Sequence, residues 1–145
     1  PEPEETDMRF MMLVIPAGYG DADPGTAPEA ERVAEMMKYN EALQGAGVLV
    51  ALDGLHPPSM GFRVSWQEGS PKVTDGPFAE TREVVGGYWI IDVASRDEAM
   101  EWATRAPMSD DEVIEVRQIQ ETDDFAEDVR QAAAGFEEMR GLIDP

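Results

Sequence analysis

Two stretches of the chain are too apolar to form strands that meet water on either face. Arg9–Ile15 reads RFMMLVI and ends at Pro16, and Tyr88–Val93 reads YWIIDV behind the pair Gly86-Gly87. A strand with one wet face alternates apolar and polar residues, whereas a strand covered on both faces is apolar almost throughout. A chain with two such strands must cover both sides of the sheet they build. That requirement narrows the architecture more than any other feature.

The remaining elements can be read around these strands. Thr26-Ala-Pro-Glu29 has the spacing of a capping box, with Pro28 tolerated in the first turn, and predicts a helix to about Gly45. Val33, Met36, Met37, Asn40, Leu43 and Gln44 fall at helical spacing and should pack on the sheet. Val48–Leu52 predicts a second strand. Phe62, Val64 and Trp66 alternate with Arg63 and Ser65, which predicts a strand with one buried face, and Lys72–Thr74 can pair back on it. Ser95-Arg-Asp-Glu98 is a second capping box, opening a helix whose Ala99, Trp102, Ala103 and Ala106 turn inward until Pro107 stops it. Val113–Ile119 predicts the last strand. Strand, helix, three strands, helix, strand is a split βαβ order, the α+β ferredoxin-like sandwich with both helices on one face of the sheet. The other face then needs a cover. A second copy meeting it sheet to sheet, as a homodimer, is the expectation.

At 145 residues the chain reads as one main domain, with residues 1–7 a disordered amino-terminal extension, 8–120 the ferredoxin-like domain and 121–145 an amphipathic helical extension. In that extension Phe125, Val129, Ala132, Phe136, Met139 and Ile143 form one apolar seam at spacings of four and three. The seam is expected to pack on its own domain or on the dimer mate; the alternative is a protein partner. There is no cysteine and a single histidine, so thiolate and histidine-rich metal centres are excluded; only an all-oxygen carboxylate site remains, and the clusters such as Asp110-Asp-Glu112 lack calcium-loop spacing, so no metal is expected. No glycine-rich phosphate loop opens a helix and no serine sits in a nucleophile elbow, so no cofactor is expected either. The formal charge of −20 argues against nucleic acid, whose affinity would come from phosphate neutralisation. No apolar run approaches the roughly 20 residues of a membrane span and the amino end is acidic, so the expectation is a cytoplasmic protein without a membrane partner.

The segment TDGPFAETREVVGGYWIIDV resembles the signature of the DGPF branch of the YCII-related family. The RFMMLVI start, the GLHPP loop, the SRDEAMEWA helix and the IEVRQI strand agree with it, so the likeness runs from Met8 to Ile119. The resemblance implies a ferredoxin-like fold that dimerises as an α+β barrel. It implies no particular reaction. Some members resemble neighbours of alternative sigma factors, which implies regulation without catalysis as the alternative to an enzyme. Wider relatives are proposed to use a histidine and aspartate dyad with the histidine near the start of the first helix; this chain has no histidine between Pro28 and Leu43.

Read physically, Asp75-Gly-Pro is a tight turn, which leaves Glu80, Arg82 and Glu83 unaccounted for. On the last strand, period two puts Glu115 and Arg117 on the face away from Ile114 and Val116, the open side of the sheet. Charges enclosed there must be paired or serve a ligand. One reading is a salt bridge from Glu80 or Glu83 to Arg117. The other is a site in which Arg117 anchors an anion beside Glu115, Asp75, Glu80 or Glu83 acts as general base, and Tyr88 and Phe78 line the pocket. His56 has the right pKa class for proton transfer near neutrality and joins the site if folding brings it near Asp75. The expected ligand is a small polar or anionic organic compound.

Overall fold

In the computed structural model, residues 8–78 and 83–143 are described; the expected amino-terminal extension, Glu80 and Arg82 lie outside the described residues. The strands are β1 (Met8–Ile15), β2 (Leu49–Gly54), β3 (Phe62–Gln67), β4 (Ser70–Asp75), β5 (Gly87–Val93) and β6 (Val113–Gln118). Four of them make an antiparallel sheet in the order β2-β5-β1-β6. Helices α1 (Ala30–Gly45) and α2 (Arg96–Thr104) are the two crossovers. Each crossover leaves a gap that a strand from the other half fills, and this interleaving is the expected ferredoxin-like order.

Phe10 and Met12 of β1 and Trp89, Ile91 and Val93 of β5 point toward the helices and meet Tyr39, Leu43, Ala99 and Trp102 in one core. The inward stripe of α1 is rotated from the expected one. Tyr39 and Leu43 are buried with Met36 and Asn40 beside them, while Val33, Met37 and Gln44 face outward. Polar partners explain why a tyrosine and an asparagine are tolerated there. The Tyr39 hydroxyl donates to the Trp102 carbonyl at 2.7 Å, and Trp89 Nε1 donates to Asn40 Oδ1 at 2.7 Å. The Tyr39 and Trp89 rings meet edge to face, 4.9 Å apart. Burial pushes the Tyr39 hydroxyl pKa up to about 12, against the opposing pull of Arg105.

The two helix starts differ. At α2, Ser95 Oγ accepts from the Glu98 amide at 3.1 Å, the cap its sequence predicts. At α1 the expected box does not form: Thr26 Oγ1 donates to the Asp23 carbonyl, and the helix opens at Ala30 without a side-chain cap. The carboxyl-terminal seam does not form one helix either. It is divided into α3 (Glu127–Ala132) and α4 (Phe136–Ile143), broken at Gly135 with φ 94°. Val129, Phe136 and Met139 are exposed, so their own domain leaves this part of the seam uncovered.

The expected burial of β3 is corrected most clearly. Among the described residues β3 and β4 pair only with each other, joined by Glu68-Gly69 with both φ values positive, and every residue of β3 is exposed. Two positive φ values match the twist of a two-residue hairpin turn. The ribbon satisfies its own ladder, so the alternation in FRVSWQ specified a strand without specifying what would cover it. The face of the main sheet opposite α1 and α2 carries Met11, Leu13, Tyr88, Ile90, Val113, Glu115 and Arg117. At its Arg9 end this face is met by Glu121, whose carboxylate also accepts from Arg140 of α4.

Candidate functional site: a cavity under the DGPF turn

The chain segments after β1, after β2 and before β5 gather at one end of the sheet. The Gly86 amide donates to the Val14 carbonyl at 2.7 Å, and the Leu55 amide donates to the Gly86 carbonyl at 2.8 Å. Tyr19 Oη donates to the Leu55 carbonyl at 2.7 Å, and Ser59 Oγ donates to the Ala22 carbonyl at 2.9 Å. The Gly86-Gly87 pair makes this crossing possible. A Cβ at Gly86 would stand 2.6 Å from Pro16 Cγ, and one at Gly87 2.9 Å from the Asp53 carbonyl oxygen.

The same logic seats the Asp75-Gly-Pro-Phe78 turn on the Pro57-Pro58 turn. The Gly76 amide donates to the Gly61 carbonyl at 2.9 Å, and a Cβ at Gly76 would fall 1.9 Å from the Pro58 carbonyl oxygen. Only a glycine lets these two backbones approach so closely. The Gly76–Pro77 peptide bond is cis.

Between the two turns lies a cavity of about 550 Å³. It is lined by the Leu55–Pro58 and Met60–Gly61 backbone stretches, by Phe62 and Arg63 at the hairpin root with Phe78, and by Glu83, Val84 and Val85. Pro57 and Val84 are the buried members of this lining. The Arg63 guanidinium lies over the Phe78 ring at 4.1 Å from its centre, a cation–π contact that fixes both.

Folding therefore brings His56, Phe78 and Glu83 to one cavity. Asp75 pairs with Phe62 at the end of β4 and is exposed outside the lining. Glu80 lies outside the described residues. Tyr88, Glu115 and Arg117 form a separate group on the open sheet: Leu13 stands opposite both Tyr88 and Glu115, and Met11 opposite Arg117. Tyr88 Oη donates to Asp53 Oδ2 at 3.4 Å. Among the described residues Arg117 has no ion pair, so the bridge from Glu83 to Arg117 is not formed in the single chain. The sequence gives no sign of Arg63's place here, because it reads as the polar half of an alternating strand. Its neighbour Phe78 lies on the far side of a hairpin.

The cavity joins an imidazole, a carboxylate and a guanidinium to an apolar wall. Such a lining can hold a molecule with a polar head and an apolar body, and the imidazole and carboxylate can exchange protons with it. Among the described residues, no group of three or more histidine or acidic side chains is placed to hold a metal ion. No described helix is long and apolar enough to cross a membrane.

Residues 8–139 match the YCII-related domain. The chain belongs to the YCII-related domain family. The YCII-related match takes in both sheets, α1, α2 and α3, and reaches into α4. An uncharacterised protein of Rhizobium meliloti (strain 1021) is 34% identical over 96 residues, which are 63% of this chain and 77% of that protein.

Proposed function

We propose that this YCII-related protein is a homodimer that binds a small polar or anionic organic molecule in the cavity under the DGPF turn. The single observation that carries the binding reading is the convergence of His56, Arg63, Phe78 and Glu83 on one cavity. In this reading Arg63 and His56 meet the polar or anionic end and Phe78 meets the body. Glu83 with His56 supplies the acid–base pair if the bound molecule is also transformed. The homodimer reading rests on the sheet face holding Met11, Leu13 and Ile90, apolar residues opposite the face that carries the helices.

Thermal unfolding of the purified protein against a panel of small carboxylic acids and neutral polar compounds tests the reading. A ligand at about a hundred times its Kd raises stability by about 2.7 kcal/mol. The expected result is a stabilising compound whose effect falls at least by half in His56→Gln and in Glu83→Gln but persists in Arg117→Ala. Shifts equal in all four proteins, or no stabilising compound in the panel, would overturn it.

A second reading, a regulatory protein that engages a partner without catalysis, is favoured by the exposure of Phe136 and Met139 on α4. It predicts that Met139→Asp disrupts partner binding and leaves ligand stabilisation in place.

A further inference from the structure

The β3–β4 hairpin is two-faced. Its pairing puts Val64 opposite Val73, Trp66 opposite Pro71 and Phe62 opposite Asp75, so these side chains share one face. Arg63, Ser65, Lys72 and Thr74 share the other. The apolar face is open to solvent: Trp66 is 69% exposed, Phe62 66% and Val73 63%. An isolated two-stranded ribbon is marginal in water, and among the described residues no layer covers this one. With aromatic side chains burying roughly 150–250 Å² each, the face offers on the order of 400 Å², about half of one partner's share in a stable interface.

Charge indicates what covers it. The chain as a whole carries −20, yet Phe62–Asp75 is neutral, with Arg63 and Lys72 balancing Glu68 and Asp75. Two copies of so acidic a chain repel each other over most of their surfaces, and the hairpin is a place where they can meet without that cost. An anionic membrane surface would repel the rest of the chain. The apolar face also continues into the cavity, because Phe62 belongs to both.

We propose that the β3–β4 hairpin is an arm that lays its Phe62, Val64, Trp66 and Val73 face on a second copy of this chain, and that the contact completes the outer wall of the cavity. The proposal rests on the homodimer reading and adds to it a second contact, separate from the open sheet. Six residues per strand give the arm a reach of about 20 Å.

Tryptophan fluorescence reads the arm directly, because Trp89 and Trp102 are buried in the single chain and Trp66 is exposed. The Trp66 signal is the difference between the native protein and Trp66→Phe, followed with acrylamide quenching while sedimentation reports the mass. The expected result is a dimer in which the Trp66 signal is blue-shifted and at least threefold less quenchable than free tryptophan, and in which both properties are lost together on dilution to monomer. Trp66→Ser, at the solvent end of the ribbon, should fold with an unchanged far-ultraviolet spectrum and raise the dimer dissociation constant at least tenfold. A dimer whose Trp66 quenches freely, or whose dissociation constant ignores Trp66→Ser, would overturn the arm and leave the sheet-to-sheet dimer standing. A chain that stays monomeric at concentrations near 100 times those of ordinary assays overturns both.

Discussion

Glu121 joins three parts of the chain, and its removal has a definite signature. It lies just past β6, accepts from Arg9 Nε of β1 at 2.9 Å and from a second Arg9 nitrogen at 3.3 Å, and accepts from Arg140 of α4 at 3.0 Å. The three side chains are 19%, 23% and 26% exposed, so solvent screens the contacts only in part. Burial by itself would raise the Glu121 pKa, but the hydrogen bonds and charges of Arg9 and Arg140 outweigh it and hold the carboxyl below the usual glutamate value.

Replacing it in Glu121→Gln keeps one acceptor oxygen and removes the charge. Hydrogen bonds to charged groups contribute about 1.5–3 kcal/mol; with one contact retained and partial screening, the expected loss is about 1–2 kcal/mol at pH 7. A depressed folded pKa stabilises the fold fully above the unfolded value, near 4.3 for glutamate, and that stabilisation fades as pH falls through the folded pKa. Urea unfolding of the native protein and Glu121→Gln should therefore differ by that amount at pH 7 and pH 5, with the gap narrowing below about pH 4.3. Adding salt to 0.5 M should shrink the gap at pH 7. A gap under about 0.3 kcal/mol at pH 7, well below any charged hydrogen bond, or one that stays constant into acid, refutes the reasoning.

Leu43 is fully buried in the core, so Leu43→Ala should cost about 2–5 kcal/mol and show in calorimetry as a Tm lowered by about 5–15 °C. Trp89→Phe leaves Asn40 Oδ1 without its donor and should cost about 1–3 kcal/mol; if the cost is the orphaned oxygen, the effects of Trp89→Phe and Asn40→Leu will not add in chemical denaturation. Gly76→Ala forces the DGPF turn off the Pro58 carbonyl, at about 1–3 kcal/mol of overpacking, and hydrogen exchange at the position-76 amide should accelerate at least tenfold while the Met12 and Ile91 amides keep their protection.

Part of the cavity's lining is legible in the sequence. Residue type and loop position single out His56, Phe78 and Glu83, and all three line one cavity. The same reading joins Arg117, Glu115 and Tyr88 to them, because a strand's period shows which face a residue takes and an enclosed charge on the open face must be paired or serve a ligand. Period two cannot say how far along the sheet that face lies from a loop. The cavity opens instead between the 55–61 backbone and the Phe78 and Glu83–Val85 segments, where Arg63 reaches Phe78 across the hairpin root.

From the order of residues alone come the six strands, the two packed helices, the ferredoxin-like interleaving and the family, because alternation, helical spacing and turn residues act over a few positions. Tertiary structure alone decided that FRVSWQ leaves the sheet and that Tyr39, rather than Val33 and Met37, joins Asn40 and Leu43 toward the core. Those outcomes depend on contacts between distant segments, where a buried ring needs a polar partner and a close backbone crossing tolerates only glycine. No local pattern carries that information.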